Sequence, residues 1–277
     1  MKTRFVLVCA ALATVLVFDR TAFFGAPVEN SSARQLMAKV VAANRTTGFR
    51  VRSKLIVTTA NSDHREVKQL LIKGRDDGKS TMTLYQILWP PELKGQSLLI
   101  EKRENSISGL LFEPPDTVKK LSFALMTQPF FGSDLAIEDL AEDFWDWPSQ
   151  KIVGEETIKE KLCTIVESRP PAEAATSYSL VKTWIAPELA LPLRIEKYGK
   201  NRRLVRRITA ERVMKVHDRW TAATISVDLA GANSRTILEG SKSERDLDLP
   251  AADFTLEAIK REVRNPAAPA TKESNRN

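Results

Sequence analysis

Ser133 and Asp134 come nearest to hydrolytic chemistry in this chain, adjacent in the stretch Phe130-Phe131-Gly132-Ser133-Asp134-Leu135-Ala136-Ile137-Glu138-Asp139-Leu140. A serine hydroxyl becomes a nucleophile when a histidine takes its proton and a carboxylate orients that histidine. His64 and His217 are the two histidines available. The Gly-x-Ser-x-Gly elbow that would present such a serine is missing from the sequence. Ser133 has a simpler reading as the N-cap of a short acidic helical turn. Its hydroxyl would accept a backbone N–H, and Asp134, Glu138 and Asp139 would favour the positive helix end. Cys163, in Leu162-Cys163-Thr164-Ile165-Val166, has the setting of a strand and reads as a buried structural thiol rather than a nucleophile. Two distant histidines and that cysteine show no metal-ligand spacing. The reading is therefore a binding scaffold, not an enzyme, with no catalytic residue, metal or cofactor assigned.

The stretch is framed by segments that read as strand, so it is expected to be a rigid insertion laid against a sheet. The first segment of the chain belongs to neither. Lys2 and Arg4 precede an apolar run from Phe5 to Phe18 that stops short of a membrane span, which predicts a secretory signal over residues 1–26, or its retention as an inner-membrane anchor. Cys9 lies inside that run and is not placed for lipid modification. The formal charge is +7, of which Lys2, Arg4 and Arg20 against Asp19 supply +2, so the remainder is mildly basic. Such a balance suits anionic membrane surfaces or acidic partners, and a secretory signal argues against nucleic acid.

From Ser31 or Ser32, taken as a cap, Ala33, Leu36, Met37, Val40 and Val41 recur at helical spacing up to Asn44. Period-two alternation follows from Phe49 through Phe112, punctuated by Asn61-Ser62-Asp63, Asp76-Asp77-Gly78, Lys94-Gly95 and Glu104-Asn105 at hairpin spacing. Val118 to Leu121 is a further strand. After the insertion, Phe144-Trp145-Asp146-Trp147-Pro148 is read as a loop that plugs one end of the core, or else as a membrane- or ligand-facing edge. Strands resume from Gln150 to Gly240, a short helix is expected over 251–261, and 263–277 has the composition of a disordered tail. The basic run Lys200 to Arg207 reads as a solvated hairpin or a contact for anionic lipid. The fold class is mainly β (α+β): one large, mostly antiparallel sheet with a few helices.

The order of landmarks resembles the outer-membrane lipoprotein-sorting family, similar to the LolA/LolB-like periplasmic carriers. Pro91-Glu92-Leu93-Lys94-Gly95-Gln96-Ser97-Leu98 is like that family's proline, Lys-Gly and leucine, and Leu110-Leu111-Phe112-Glu113-Pro114 stands where Trp-x-Tyr-x-Pro is usual. Phe131-Gly132-Ser133-Asp134-Leu135 with Glu138-Asp139-Leu140 resembles the Gly-Ser-Asp-Phe and Asp-Leu motif. Tyr178, Val181, Trp184-Ile185, Pro192, Tyr198, Trp220, Thr236 and Phe254-Thr255-Leu256 fall in the family's order. Leu110, Phe112, Leu135, Ile137 and Ala186 depart from it, each toward a less polar or more aliphatic site.

The resemblance implies a half-open antiparallel barrel with a helical lid over residues 27–262, holding lipid or lipoprotein acyl chains in an apolar cavity in the periplasm. It also implies an inner-membrane lipid exporter or an outer-membrane acceptor as partner, with transient membrane contact. Leu84, Leu88, Leu98, Ile100, Leu110, Phe112, Trp184 and Ile195 are the candidate cavity lining, with an ordinary dry core as the alternative. Phe131, Gly132, Ser133, Asp134 and Asp139 are assigned to a structural loop near the cavity mouth, with partner contact as the alternative. A lipid-sensing or accessory module of a membrane transporter or signalling complex is the alternative function.

Overall fold

The computed structural model describes residues 28–60, 65–103, 106–141, 143–216 and 218–264. The expected signal over 1–26, the residues from 265 onward, the turns at 61–63 and 104–105, and both His64 and His217 lie outside the described residues.

Alternating apolar and polar side chains bury one face of an extended chain, and short turns then fold successive runs into a meander. β1 (Gly48–Thr59), β2 (Arg65–Asp76), β3 (Ser80–Trp89), β4 (Ser97–Arg103), β5 (Ser106–Glu113) and β6 (Thr117–Lys120) form the first run. β7 (Ser149–Ile158), β8 (Lys161–Arg169), β9 (Tyr178–Ala186), β10 (Leu191–Gly199), β11 (Leu204–Val216), β12 (Arg219–Leu229) and β13 (Ser234–Arg245) form the second. The turn at Asp76-Asp77-Gly78 shows the local logic. Asp76 accepts the Gly78 N–H and Asp77 accepts those of Lys79 and Ser80, with Gly78 at φ 80°.

β1 also pairs antiparallel with β13, Phe49 opposite Arg245 and Thr59 opposite Ser234. That joint merges both runs into one sheet of 13 strands among the described residues, with β6 and β7 as its edges. The sheet is strongly curved. β3 and β9 are seven strand spacings apart, about 34 Å if flat, yet Phe130 stacks on Tyr85 of β3 while Asp139, nine residues on, bonds Tyr178 of β9. The architecture is a mainly-β, half-open antiparallel barrel.

The gap between β6 and β7 is where the chain inserts α2 (Phe123–Met126), α3 (Ile137–Ala141) and two single 3-10 turns, Phe130–Gly132 and Asp143–Asp146. α1 (Val28–Asn44) closes the same side, with Ala33, Met37, Val40 and Val41 buried against the inner core. It begins earlier than the cap reading placed it, so Ser31 and Ser32 lie within the helix instead of before it. The last helix, α4 (Leu256–Arg264), lies on the opposite, convex face. There Phe254, Ile259 and Leu249 cover Leu84, Leu99 and Phe112, and Lys73 reaches over the edge of Phe254 to Glu262 at 2.7 Å. Among the described residues no helix is long and apolar enough to cross a membrane.

Candidate functional site

The inserted stretch enters the barrel and fills its inner face. Pro129 bridges Ala136, the Phe130 N–H donates to the Leu135 carbonyl, and the Ile137 N–H to that of Gln128. Folding back this tightly places Phe131 at φ 48° and Gly132 at φ 73°, two consecutive left-handed residues. Glycine holds that conformation without cost, whereas a phenylalanine there is strained and must be held by its surroundings. Phe131 packs on Phe130 at 4.4 Å between ring centroids.

Ser133 is not the N-cap expected of it. Its hydroxyl donates to the Phe130 carbonyl at 2.7 Å and accepts the Leu135 N–H, so it closes the turn behind it. Asp134 does not sit at a helix end either. Its carboxylate accepts hydroxyls from Ser234 and Thr236 of β13, and its N–H donates to Thr236 Oγ1 at 2.9 Å. The hydroxyl and carboxylate that suggested a hydrolase are therefore committed to backbone and sheet. The helix cap is supplied from the other direction: Asp139 Oδ2 reaches back to the Ala136 N–H at 2.7 Å, as the third residue of a capping box does.

Asp139 is also the centre of the inner face. Lys197 of β10 and Arg206 of β11 are direct cross-strand partners, and two cations in that relation repel. Asp139 lies between them, with Lys197 Nζ at 2.8 Å and Arg206 Nη1 at 3.1 Å, and all three side chains are at most 10% exposed. The Tyr178 hydroxyl donates to Asp139 Oδ1 at 2.8 Å and itself accepts from Arg206, whose Nε donates to the Asp134 carbonyl. The Lys197 ammonium sits between the rings of Phe144 and Tyr178, 5.4 and 5.1 Å from their centroids. Burial pushes the Asp139 carboxyl up, but the charges of Lys197 and Arg206 and the hydrogen bonds of Lys197 and Tyr178 outweigh it and hold the carboxyl below its ordinary value. Burial and the neighbouring Asp139 charge push the Tyr178 phenol far above its own. Asp134 contributes its backbone carbonyl to Arg206, while its carboxylate stays with the hydroxyls of Ser234 and Thr236.

Glu138 fastens the other side of α3, accepting from Thr176 and from the N–H and hydroxyl of Ser177 in the loop before β9. The aromatic cluster Phe144, Trp145 and Trp147 is buried, its carbonyls at Phe144 and Trp145 taken by the Gln150 amide. Of the two expectations for that cluster, the one that plugs the core matches its position.

Within the basic run, for which a solvated hairpin or a contact with anionic lipid is expected, Arg206 departs from both. Strand parity turns it inward to Asp139, while Arg207 points out to Glu196 at 2.9 Å. A legible signal existed in the alternation of β10 and β11, where Ile195-x-Lys197 and Arg206-x-Ile208 put a cation on an otherwise apolar face. Nothing in the sequence said that Asp139 would meet both.

The eight lining candidates divide between two faces. Leu98, Ile100 and Ile195 face the inner core, and Leu98 neighbours Tyr85 and Leu111 across the strands. Leu84, Leu110 and Phe112 lie on the convex face beneath α4, and Leu88, half-buried, shares the parity of Leu84. Trp184 alternates against Val181, the inward partner of Lys197, and so takes the other side of β9, yet it is buried within the same large core cluster; its indole donates to Glu156 at 2.6 Å under the Arg194 guanidinium. Eight residues do not share one surface. The spacing within each strand was right, but both faces of β3, β4 and β5 are apolar because α4 covers the outer one.

A cleft of about 310 Å³ opens where the insertion meets β4 and β5. Leu93, Leu98, Leu111, Phe130, Phe131 and Ile137 form its walls, and Lys68, Gln96 and Glu113 its polar groups. Deeper in, beside Lys197, Tyr178 and Phe144, only about 10 Å³ is left. Among the described residues no three His, Cys, Asp or Glu side chains gather as a metal site. Cys163 is buried, and burial raises its thiol above the usual range.

The half-open antiparallel barrel, filled from its open seam, is a fold shared with solved structures. The chain is similar to a DUF1329 family protein from Desulfovibrio piger, at 21% identity and a TM-score of 0.77 over 83% of this chain and 99% of that one. It is similar to a structure described as an outer membrane lipoprotein-sorting protein domain from Vibrio parahaemolyticus, at 19% identity and 0.75, over 84% and 100%. A LolA superfamily protein from Nitrosomonas europaea aligns at 18% identity and 0.66, over 82% and 98%. No curated protein matches the chain by sequence. Residues 79–261 match a family model bearing the description "-like: Uncharacterized protein", and the chain belongs to that family.

Proposed function

We propose that this protein is a periplasmic carrier that binds lipid or lipoprotein acyl chains inside its half-open barrel and delivers them toward the outer membrane. The observation that carries the reading is the inner face itself. Apolar residues from both meanders line a curved sheet, and what covers them is an insertion held by the polar contacts of Asp134, Glu138 and Asp139. An acyl chain needs such a concave apolar lining, and each methylene it buries contributes about 0.8 kcal/mol. The cleft at the mouth is where a chain enters, and its volume lies at the lower end of that of ligand pockets. Deeper burial follows if the insertion moves and the acyl chain takes the place of Phe130, Leu135 and Ile137.

The fold likeness supports this class of ligand, since one neighbour is described as a lipoprotein-sorting domain and another as a LolA superfamily protein. Trp89, 46% exposed, leads into the turn Pro91–Leu93 at the mouth and suits transient contact with a membrane surface. An inner-membrane exporter or an outer-membrane acceptor is the matching partner.

The test exploits adjacent leucines on opposite faces. Leu98 borders the cleft and Leu99 packs beneath α4. Truncating either to alanine costs on the order of 2–5 kcal/mol, so stability does not separate them. Purified protein is examined by native mass spectrometry and organic extraction, then titrated with a fluorescent fatty-acid analogue. Bound lipid and analogue binding that weakens in Leu98→Ala but not in Leu99→Ala support the carrier. Lipid-free protein indifferent to the analogue refutes it.

A further inference from the structure

We propose that the mouth cleft selects amphiphiles with an oxyanion head group and that Lys68 is the group that takes the charge; this rests on the acyl-chain reading above. Lys68 stands on the inner face of β2, opposite Leu55 of β1, where alternation calls for an apolar residue. Its side chain is 8% exposed. An ammonium withdrawn from water to that degree needs acceptors for three N–H groups. Among the described residues its hydrogen bond is to one side chain, Glu66 at 2.8 Å, which is itself 53% exposed.

The contrast with Lys197 is informative. That cation is still more deeply buried but is enclosed by Asp139 and two aromatic rings, and the space beside it is only about 10 Å³. Lys68 instead borders the 310 Å³ apolar cleft. The cleft's own carboxylate, Glu113, is drawn off by Lys119 at 2.9 Å and by the Gln96 amide, so it does not neutralise Lys68. Gly132 lines the same cleft, with the Lys68 ammonium the nearest group to it. Apolar walls with one cation at the rim match a chain that ends in a negative head. Both a carboxylate and a phosphate present that chemistry, and a charge-assisted hydrogen bond in a partly dry site discriminates against a neutral head.

Calorimetric titration of the full chain with dodecanoate, dodecyl phosphate and the neutral monododecanoylglycerol, each below its micelle concentration, tests this. At least one anion binds about tenfold tighter than the glyceride, and the stronger of the two identifies the head group. Lys68→Met removes that preference while leaving glyceride affinity within about twofold. Glu66→Gln, which frees Lys68 from its competitor, tightens anion binding; this opposite sign is not expected of a structural lysine and decides the matter if Lys68→Met fails to fold. Equal affinity for anions and glyceride in the parent protein, or a preference that survives in Lys68→Met, overturns the assignment while leaving the acyl-chain reading intact. If none of the three ligands binds, both fall together.

Discussion

Replacing Asp139 by asparagine preserves shape and removes one charge, and its cost follows from the groups left behind. Lys197 and Arg206 are cross-strand neighbours, at most 10% exposed, and Asp139 is the carboxylate within 2.8 and 3.1 Å of them. Removing one partner from a buried ion cluster costs about 3–5 kcal/mol, because uncompensated charge stays in a poorly solvated site. The gross attraction of the cluster is far larger, but desolvation cancels most of it, so the deletion figure is the one to expect. Asparagine can still accept from Tyr178 or Ala136, which places Asp139→Asn near 3 kcal/mol and Asp139→Ala nearer 5, both order-of-magnitude values. At about 2–4 °C per kcal/mol for a domain of this size, the melting temperature of Asp139→Asn falls by roughly 6–12 °C. Urea denaturation and thermal melts followed by tryptophan fluorescence measure this, since Trp145 and Trp147 are buried beside the anchor. Adding Lys197→Met removes the orphaned cation nearest the lost charge and should restore at least about half of the loss. A loss below about 1 kcal/mol, or no recovery in the double variant, would refute the claim that this cluster anchors the insertion.

The same group predicts acid sensitivity. The folded Asp139 carboxyl lies below its unfolded value of 3.8, so its stabilisation is complete above that pH and is lost as pH falls through 3.8 and then through the folded value; Asp139→Asn should show a flatter acid limb in pH-resolved melts. Gly132→Ala has open space, its nearest neighbour being the Lys68 ammonium at 3.9 Å, so the cost comes from φ 73° alone: about 1–2 kcal/mol by urea denaturation. In a Cys9→Ser chain, Cys163 is expected to resist an aromatic disulfide reagent until denaturant is added, because its thiol is buried and raised in pKa. Trp184→Phe removes the indole bond to Glu156, 43% exposed, worth about 0.5–1.5 kcal/mol, and some buried packing besides, and leaves ligand affinity unchanged because the ring lies on the other side of β9 from Val181.

Period-two alternation found the strands because most of them bury at least one face, although β7 runs to Ile158 and β13 to Arg245, beyond the segments that read as strand. The same signal could not say which face. Leu84 and Leu98 look alike in sequence, and only α4, docked on the convex side from more than 150 positions downstream, makes the first an outer-core residue. The insertion was legible as a unit from Gly132, Ser133 and the acidic residues after it. Its chemistry was not, since Asp134 meets Thr236 of β13 and Asp139 meets Lys197 and Arg206, contacts set by the curvature of the sheet. Tyr178 and Thr236, noted as landmarks in sequence order, converge on those two aspartates. Lys68 carried a weak signal, a cation at an inward position of β2, which alternation alone treats as an edge exception.

The joint between β1 and β13 has a kinetic meaning. Among the described residues every other strand pairing links neighbours in sequence, so each meander can grow by successive hairpins with little loop-closure entropy. Only this one ladder brings the two ends of the domain together, and it is also the ladder on which Asp134 clasps Ser234 and Thr236. Folding is therefore expected to assemble two half-sheets quickly and to wait on a single long-range zipper. A circular permutant that joins the end of α4 to the start of α1, and opens the chain elsewhere, would shorten the loop that this ladder has to close.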